Sequence, residues 1–255
     1  MATLNLKNPH SVLAVLKTRP KDVLEIRVSQ AREQRDLGDS TGKKDYWLEV
    51  LQLAKKLGIR TTTAPRPSKG LEPRGEEGRT STTEAVVREK ASVAIEQLLP
   101  PEAQGESASG LWLAFDQLQD PHNVGSIFRT AAFFGVRGII MTQDRSATLT
   151  STVYDVASGG VESVPFSIVP NLQRAFEVSK ERGLWILGTS EHAKQPWNQV
   201  SKDRNWLLVF GNEEKGMRRL TEESCDVVCS IPPASDAVTS LNVSVTAGIL
   251  ISKLA

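Results

Sequence analysis

Short apolar runs alternate with segments of helical spacing from residue 111 to the end of the chain. The runs predict strands at Trp112–Phe115, Gly138–Met141, Val164–Val169, Leu184–Leu187, Trp206–Phe210 and Val227–Ile231. Helices are predicted between them at Val124–Phe134, Ser151–Ala157, Leu172–Arg182 and Leu220–Cys225. Runs such as WLLVF are apolar on both faces, which is typical of strands in a parallel sheet that helices cover. The pattern therefore predicts an α/β domain with a mostly parallel sheet.

The front of the chain has the pattern of a separate and smaller α/β module. Residues 12–16 supply one apolar helical face, and VLEIRV at Val23–Val28 alternates like a half-buried strand. A second helix is predicted over Tyr46–Leu57, which ends before Gly58, and a strand follows at Ile59–Thr63. We expect two helix and strand pairs here.

A linker is predicted at residues 100–110, PPEAQGESASG, because this stretch has no large apolar residue. The expected domains are then residues 1–99 and residues 111–255. Residues 1–100 carry 18 Lys and Arg against 13 Asp and Glu, whereas residues 101–255 carry 13 against 17. A basic module beside an acidic one indicates a polyanion-binding attachment to a separate catalytic or folding unit.

Composition places the chain among soluble globular proteins, with 39% hydrophobic and 24% charged residues. No apolar run approaches the roughly 18 residues that a membrane span needs, and the N-terminal stretch lacks the features of a secretory signal. We expect a cytoplasmic protein with no membrane partner. Cys225, Cys229 and three scattered histidines match no zinc spacing or disulfide framework, so no metal site is expected.

The last apolar stretch, Ile231–Leu250, has Asp236 as its only charged residue. Chain ends are normally polar and fray, so this composition predicts a buried core helix at the C-terminal end. Ser240 and Asn242 stand at its entry, where a side-chain oxygen can accept from the free amides of the first turn.

The segment DPHNVGSIFRTAAFFG follows the first strand of the larger domain. Its apolar residues follow helical core spacing, so Asn123 is predicted as the N-cap and Arg129 lies one turn further along. A capped helix N-terminus with Gly125 and an arginine nearby is a favourable site for an anion such as phosphate. The alternative is that Asn123 is only a helix cap and Arg129 only a surface charge.

The segment LLVFGNEEKGM runs from a buried strand into a loop with Gly211 and Gly216. Met217 stands where a phosphate-binding loop needs lysine. Glu213 and Glu214 at a strand end fit proton transfer or recognition of a hydroxyl, and a turn with solvated glutamates is the alternative. The motifs G-x-G-x-x-G, G-x-S-x-G and H-E-x-x-H are all absent. Residue patterns alone therefore predict an α/β ligand-binding domain with a basic module and nothing more specific.

Three segments together resemble the signature motifs of the SpoU/TrmH family, the RNA ribose 2′-O-methyltransferases of the SPOUT superfamily. NVGSIFRTAAFFG resembles the first motif, LVFGNEEKGM the second and IPPASDAVTSLNVSVTAGIL the third, in that order. The stretch NPHSVLAVLK and the strand after it resemble the start of the small substrate-binding domain of ribosomal-RNA members.

The resemblance implies a C-terminal trefoil knot, S-adenosyl-L-methionine as the cofactor in the knotted loops, and a homodimer with its sites at the interface. The implied fold is thus a knotted, mostly parallel-sheet methyltransferase domain after a small α/β RNA-binding domain. The implied cofactor-binding residues are Thr189, Gly211, Ile231 and Leu241. The implied catalytic set is Asn123, Arg129, Glu213, Ser240 and Asn242.

The reaction that the resemblance implies is in-line displacement at a sulfonium methyl by a ribose 2′-hydroxyl. Family precedent makes Arg129 the base, but a guanidinium is hard to deprotonate. The alternative is that Arg129 binds a phosphate and stabilises alkoxide charge while Asn123 and Ser240 orient the hydroxyl.

The expected substrate is a guanosine in large-subunit ribosomal RNA. Two alternatives remain open at this point. One is a transfer-RNA 2′-O-methyltransferase, and the other is a non-catalytic RNA-binding protein that retains the fold.

Overall fold

A computed structural model describes residues 2–29, 45–63, 82–99, 110–143 and 147–255. The chain forms two compact units, Met1–Lys90 and Ala91–Ala255. Each unit has its own sheet.

The smaller unit is a four-stranded sheet with helices. Its elements are β1 (Thr3–Leu6), α1 (Pro9–Thr18), a 3₁₀ turn (Pro20–Asp22), β2 (Val23–Val28), α2 (Tyr46–Lys56), β3 (Thr61–Thr63) and β4 (Glu84–Arg88). The strand order is β1-β4-β2-β3, with β4 antiparallel to both neighbours and β2 parallel to β3. The pattern predicted both helices, β2 and β3, but it missed β1 and β4, which span only four and five residues.

The larger unit is a seven-stranded sheet in which every pair of neighbouring strands is parallel. Its strands are β5 (Leu111–Phe115), β6 (Gly138–Thr142), β7 (Phe166–Val169), β8 (Trp185–Thr189), β9 (Gln195–Pro196), β10 (Trp206–Phe210) and β11 (Val227–Ser230). Its helices are α3 (Ile95–Leu98), α4 (Pro121–Phe134), α5 (Ser151–Ala157), α6 (Gly160–Ser163), α7 (Leu172–Glu181), α8 (Arg219–Glu223), α9 (Val243–Leu254) and a 3₁₀ turn (Trp197–Gln199). The predicted α/β class with a parallel sheet is confirmed.

The strand order β7-β6-β5-β10-β8-β11-β9 determines where a ligand can enter. The chain builds β5, β6 and β7 outward in one direction, then crosses to the other side and returns to place β10 directly beside β5. A parallel sheet has its ligand crevice at the carboxyl ends of the strands where the order reverses. The loops after β5, β8, β10 and β11 all leave that edge.

Helix α4 begins differently from the sequence prediction. Asp120, not Asn123, is the N-cap, because its side chain accepts a hydrogen bond from the His122 amide and Pro121 occupies the first helical position. Asn123 therefore lies inside the first turn, where it is 6% exposed. The helix ends at Gly135, whose φ of 74° is the left-handed conformation that glycine tolerates.

The C-terminal helix α9 is buried along one face only. Asn242 is its N-cap and accepts from the Ser244 amide, as one of the two predicted entry residues. Ala247, Leu250, Ile251 and Leu254 are buried. Val245 is 50% exposed and the loop 232–242 is exposed along its length. The expectation of a wholly buried end segment is therefore wrong for a single chain.

The boundary between the units falls at Lys90, before the predicted end of the first domain at residue 99. Leu98 and Leu99 are 4% and 0% exposed and pack in the same core cluster as Trp112 of β5. The Trp112 indole also donates to the Leu98 carbonyl at 3.1 Å. Apolar burial thus assigns residues 91–99 to the larger unit. Of the predicted linker, only Gly110 lies within the described residues.

Leu99→Ala tests this assignment, because it removes apolar volume from the core of the larger unit. We expect a loss of about 2–5 kcal/mol in its free energy of unfolding. Leu220→Ala is the matched control, since Leu220 is 58% exposed on α8, and about 0.5 kcal/mol or less is expected there. Urea denaturation followed by hydrogen exchange of residues 111–255 measures both. Equal effects of the two substitutions would return residue 99 to the first domain.

Candidate active site

A cavity of about 900 Å³ opens at the carboxyl edge of the larger sheet. It lies among the loops after β8, β10 and β11 and the first turns of α4 and α9. All four predicted cofactor-binding residues line it, namely Thr189, Gly211, Ile231 and Leu241. Four of the five predicted catalytic residues also line it, namely Asn123, Glu213, Ser240 and Asn242. The fold thus brings together residues that lie far apart in the chain.

Arg129 is the predicted catalytic residue that does not line the cavity. It is exposed on α4. Within the described residues, its guanidinium has no hydrogen-bond or ion-pair partner. On the same helix, Thr130 donates to the Ser126 carbonyl at 3.0 Å. Arg129 is therefore a solvated cation outside the cavity wall.

A chain of side-chain hydrogen bonds joins the three predicted motifs. The Asn242 amide donates to Asn123 Oδ1 at 3.0 Å, and the Asn123 amide donates to Glu213 Oε1 at 3.3 Å. Asn242 Oδ1 accepts from the Ser244 amide at 2.8 Å and from its hydroxyl at 2.6 Å. Because Asn123 donates and accepts in this chain, its orientation is determined on both sides. These bonds form one continuous wall of the cavity.

Glu213 holds two loops together. Its carboxylate accepts from the backbone amides of Gln119, at 3.3 Å, and Asp120, at 3.0 Å, in addition to Asn123. The Asn212 side-chain amide also donates to it at 3.3 Å. Glu213 is exposed, but these donors make the alternative of a merely solvated glutamate wrong for it. Glu214, its neighbour, is also exposed.

The loop after β10 is a tight hairpin that requires glycine at its start. Asn212 and Gly216 exchange two backbone hydrogen bonds of 2.9 Å. A Cβ at Gly211 would stand 2.1 Å from the Met217 nitrogen and 2.2 Å from the Gly216 carbonyl carbon. No side chain fits in that space. The first residue of the loop therefore presents only backbone groups to the cavity.

The charge of the cavity lining is negative. The carboxylates among its residues are Asp120, Glu191, Glu213, Glu214 and Glu222. Lys215 and His192 are the basic residues among them. A cavity of this charge attracts cationic ligands and repels phosphate.

Two cysteines lie near the cavity. Cys229 lines it, and burial raises the pKa of its thiol to about 11. Burial, followed by the charge of Asp226, raises the pKa of Cys225 to about 12. Both thiols stay protonated near neutral pH, so neither is a nucleophile. Among the residues that the structure describes, no three His, Cys, Asp or Glu are grouped to hold a metal ion.

Sequence reasoning missed several residues of this region. Glu191, His192 and Thr246 line the cavity, and Asn212 and Asp116 support the hairpin. The available signal was position, because Asp116, Asn212 and Glu191 each follow closely after a predicted buried strand. The carboxyl edge of a parallel sheet collects such residues.

A parallel sheet whose strand-end loops enclose a polar cavity defines a small-molecule-binding α/β protein. The profile described as the SpoU rRNA Methylase family matches residues 110–252. The chain is 35% identical to a protein of Nitrosomonas europaea named 23S rRNA (guanosine-2′-O-)-methyltransferase RlmB, over 94% of this chain and 86% of that protein. It is also 35% identical to the protein of the same name in Pseudomonas aeruginosa, over 96% and 93%. The chain belongs to the SpoU rRNA methylase family, as its three motifs predicted.

Solved structures show the same fold. The SpoU methyltransferase AviRb of Streptomyces viridochromogenes superimposes with a TM-score of 0.74, at 21% identity, over 99% of this chain and 88% of that one. AviRb in complex with the cofactor AdoMet superimposes with a TM-score of 0.73, at 22% identity, over 99% and 89%. The likeness extends through the length of this chain, including the smaller unit.

Proposed function

We propose that this chain transfers a methyl group from S-adenosylmethionine to the 2′-hydroxyl of a guanosine in large-subunit ribosomal RNA. The observation that carries the proposal is the cavity wall made by Asn123, Asn242 and Glu213, which joins all three family motifs. The relatives named for this reaction on 23S rRNA resemble the chain over most of their length, which supports the choice of substrate.

The residues present fit the proposed cofactor. S-adenosylmethionine is a nucleoside with a cationic sulfur, and a cavity of about 900 Å³ with five carboxylates accommodates its size and charge. Thr189, Gly211, Ile231 and Leu241 would hold it, with Gly211 offering only backbone groups. When bound, the cofactor supplies a methyl group already activated by the positive sulfur.

The chain's own contribution is to orient the attacking hydroxyl. Ser240 lines the cavity and is exposed, so its hydroxyl is available to bind the ribose. The side-chain amide of Asn242 donates a hydrogen bond to Asn123 and accepts one from Ser244, so Asn242 positions the cavity wall. Alignment of reacting atoms supplies about 7–11 kcal/mol in favourable cases. Orientation is thus the main catalytic effect in this proposal.

Arg129 fits the second of its two expected roles. Its exposed position outside the acidic cavity suits a contact with an RNA phosphate, which a guanidinium binds in a bidentate manner. A phosphate held there keeps the polyanion away from the carboxylates. Deprotonation of the hydroxyl is then left to other groups or to solvent.

A tritiated methyl-transfer assay tests the reaction, the RNA class and Arg129 together. We expect incorporation into ribosomal RNA but not transfer RNA, with the product mapped as 2′-O-methylguanosine. Arg129→Ala should lower the rate by roughly 100-fold or more, as loss of a stabilising contact in the transition state does, while leaving cofactor affinity unchanged. Arg174→Ala, which removes a 65% exposed arginine from α7, is the matched control.

Three results would each contradict a part of this proposal. Methylation of transfer RNA alone would support the transfer-RNA alternative. RNA binding without methyl transfer would support the non-catalytic alternative. A rate for Arg129→Ala that equals the rate for Arg174→Ala would remove Arg129 from the reaction.

The smaller unit serves as the RNA-binding module in this proposal. Its support is the excess of basic residues, 18 Lys and Arg against 12 Asp and Glu in residues 1–90. Such charge contributes affinity by releasing counterions from RNA. We also propose that the protein acts in the cytoplasm, where its ribosomal substrate would be, and cell fractionation can check this. Among the described residues, no helix has the length and apolar character that crossing a membrane requires.

A chain of residues 91–255 separates the two functions. We expect it to retain cofactor affinity and to lose RNA affinity by about 10-fold or more at low salt, because the counterion contribution is removed. Filter binding with ribosomal RNA at two salt concentrations measures the loss. Unchanged RNA binding by residues 91–255, with a native circular-dichroism spectrum, would assign the RNA site to the larger unit.

The C-terminal path and the assembly belong to the same proposal. Helix α9 packs against α4, and the Lys253 ammonium donates to the carbonyls of Trp197 and Asn198, ahead of β10. The trefoil knot that the family resemblance implies requires such contacts, and a crystal structure can test the knot by tracing the backbone.

Helices α4 and α9 also leave apolar side chains exposed, with Phe133 at 82%, Phe134 at 38% and Val245 at 50%. We propose that a second copy covers them as a homodimer.

Phe133→Glu should shift the protein toward monomers, because a carboxylate cannot be buried there without a partner. Sedimentation equilibrium measures the dissociation constant, which we expect to rise by about 100-fold or more. Ile168→Glu is the control, since Ile168 is 46% exposed on edge strand β7. A wild-type monomer, or equal effects of both substitutions, would overturn the dimer.

A further inference from the structure

A fully buried carboxylate lies behind the site, on a residue outside the sets assigned above. Asp116 follows β5 directly and is 0% exposed. Its Oδ1 accepts from the Arg218 Nε at 2.7 Å, and its Oδ2 accepts from the Arg218 backbone amide at 2.9 Å. An ionised carboxylate is costly to bury unless a charged group and hydrogen bonds compensate it. Arg218 supplies both.

Asp116 is hydrogen-bonded at both ends of the hairpin of residues 211–217, which lines the cavity proposed for the methyl donor. Its backbone amide donates to the Phe210 carbonyl at 2.8 Å, immediately before the hairpin, and its side chain binds Arg218 immediately after it. Between them, Met217 is 9% exposed and belongs to the core cluster. Both ends of the hairpin are therefore hydrogen-bonded to one residue, which directly follows β5.

The turn after Asp116 depends on the same hairpin. Gln117 has a φ of 63°, in the left-handed region that a residue with a side chain rarely adopts. Its carbonyl accepts from the Asn212 side-chain amide at 3.0 Å. The next amides, of Gln119 and Asp120, bind Glu213. The two loops thus maintain each other's conformation, and strain at Gln117 is offset by contacts from the hairpin.

We propose that Asp116 is a positioning residue for the site that binds the methyl donor. Through Arg218 it fixes the hairpin of residues 211–217, so that Gly211 lies at the cavity wall and Glu213 reaches the first turn of α4. The inference rests on the proposed function for its consequence, which is affinity for the methyl donor. The loop geometry that it predicts is independent of any ligand.

Asp116→Asn tests the inference, because it removes the charge and keeps the size of the side chain. We expect binding of S-adenosylmethionine and of S-adenosylhomocysteine to weaken by about 10-fold or more, because ordering a hairpin that is no longer pre-organised costs binding free energy. Isothermal titration calorimetry at a temperature where the variant is fully folded measures both. Hydrogen exchange of residues 211–218 should accelerate without a ligand present.

Asp226→Asn is the matched control. Asp226 also accepts from a cation and a backbone amide, Lys180 Nζ and Ile186 N, both at 2.8 Å. It precedes β11, however, so it lies at the amino-terminal ends of the strands, opposite the cavity. We expect it to lower stability while leaving donor affinity and exchange of residues 211–218 unchanged. Arg218→Gln should reproduce the Asp116→Asn effect, and the double variant should be no weaker than either single one, because both act through one contact.

The outcomes separate failure of this inference from failure of the proposed function. A wild-type protein that binds neither ligand contradicts the proposed function, and the exchange measurement then decides the inference alone. Unchanged exchange of residues 211–218 in Asp116→Asn overturns the inference. The same holds for unchanged donor affinity in a folded Asp116→Asn protein, and for equal losses in Asp116→Asn and Asp226→Asn.

Discussion

The parallel pairing of β10 with β5 is the constraint on which the site depends. These strands are separated by about ninety residues of chain, yet their register aligns Phe210 with Phe115 at the carboxyl edge. The loops that follow them must then lie side by side. Buried polar groups in such loops need partners, and Asp116, Asn212 and Glu213 provide them across the gap.

Charge is divided between the parts of the protein according to the two ligands that the proposed reaction needs. The methyl donor is cationic at sulfur, and most of the charged residues that line the cavity are carboxylates. The RNA is a polyanion, and the basic residues are concentrated in the front part of the chain and at Arg129 outside the cavity. Since one surface cannot attract both charges, this separation lets each ligand meet a favourable potential.

The C-terminal segment closes the site and carries part of the surface that we propose for assembly. Asn242 caps α9 and also binds Asn123, so the start of the last helix and the wall of the cavity are determined by one side chain. The outer face of the helix keeps Val245 exposed. The uncharged composition of this segment therefore reflects two demands, a core on one side and a proposed partner on the other.

The sequence by itself determined the α/β class, the positions of six of the seven strands described in the larger unit and eight of the residues that line the cavity, because apolar periodicity and the three motifs are local signals. It misplaced the N-cap of α4 and the domain boundary. Hydrogen bonding makes Asp120 the N-cap, and burial assigns Leu99 to the larger unit. Only the tertiary structure decided that Asn123, Glu213 and Asn242 touch, that Arg129 stands apart and that Asp116 holds the hairpin. Strand order brings distant residues together, and the spacing of residues along a chain carries no record of that order.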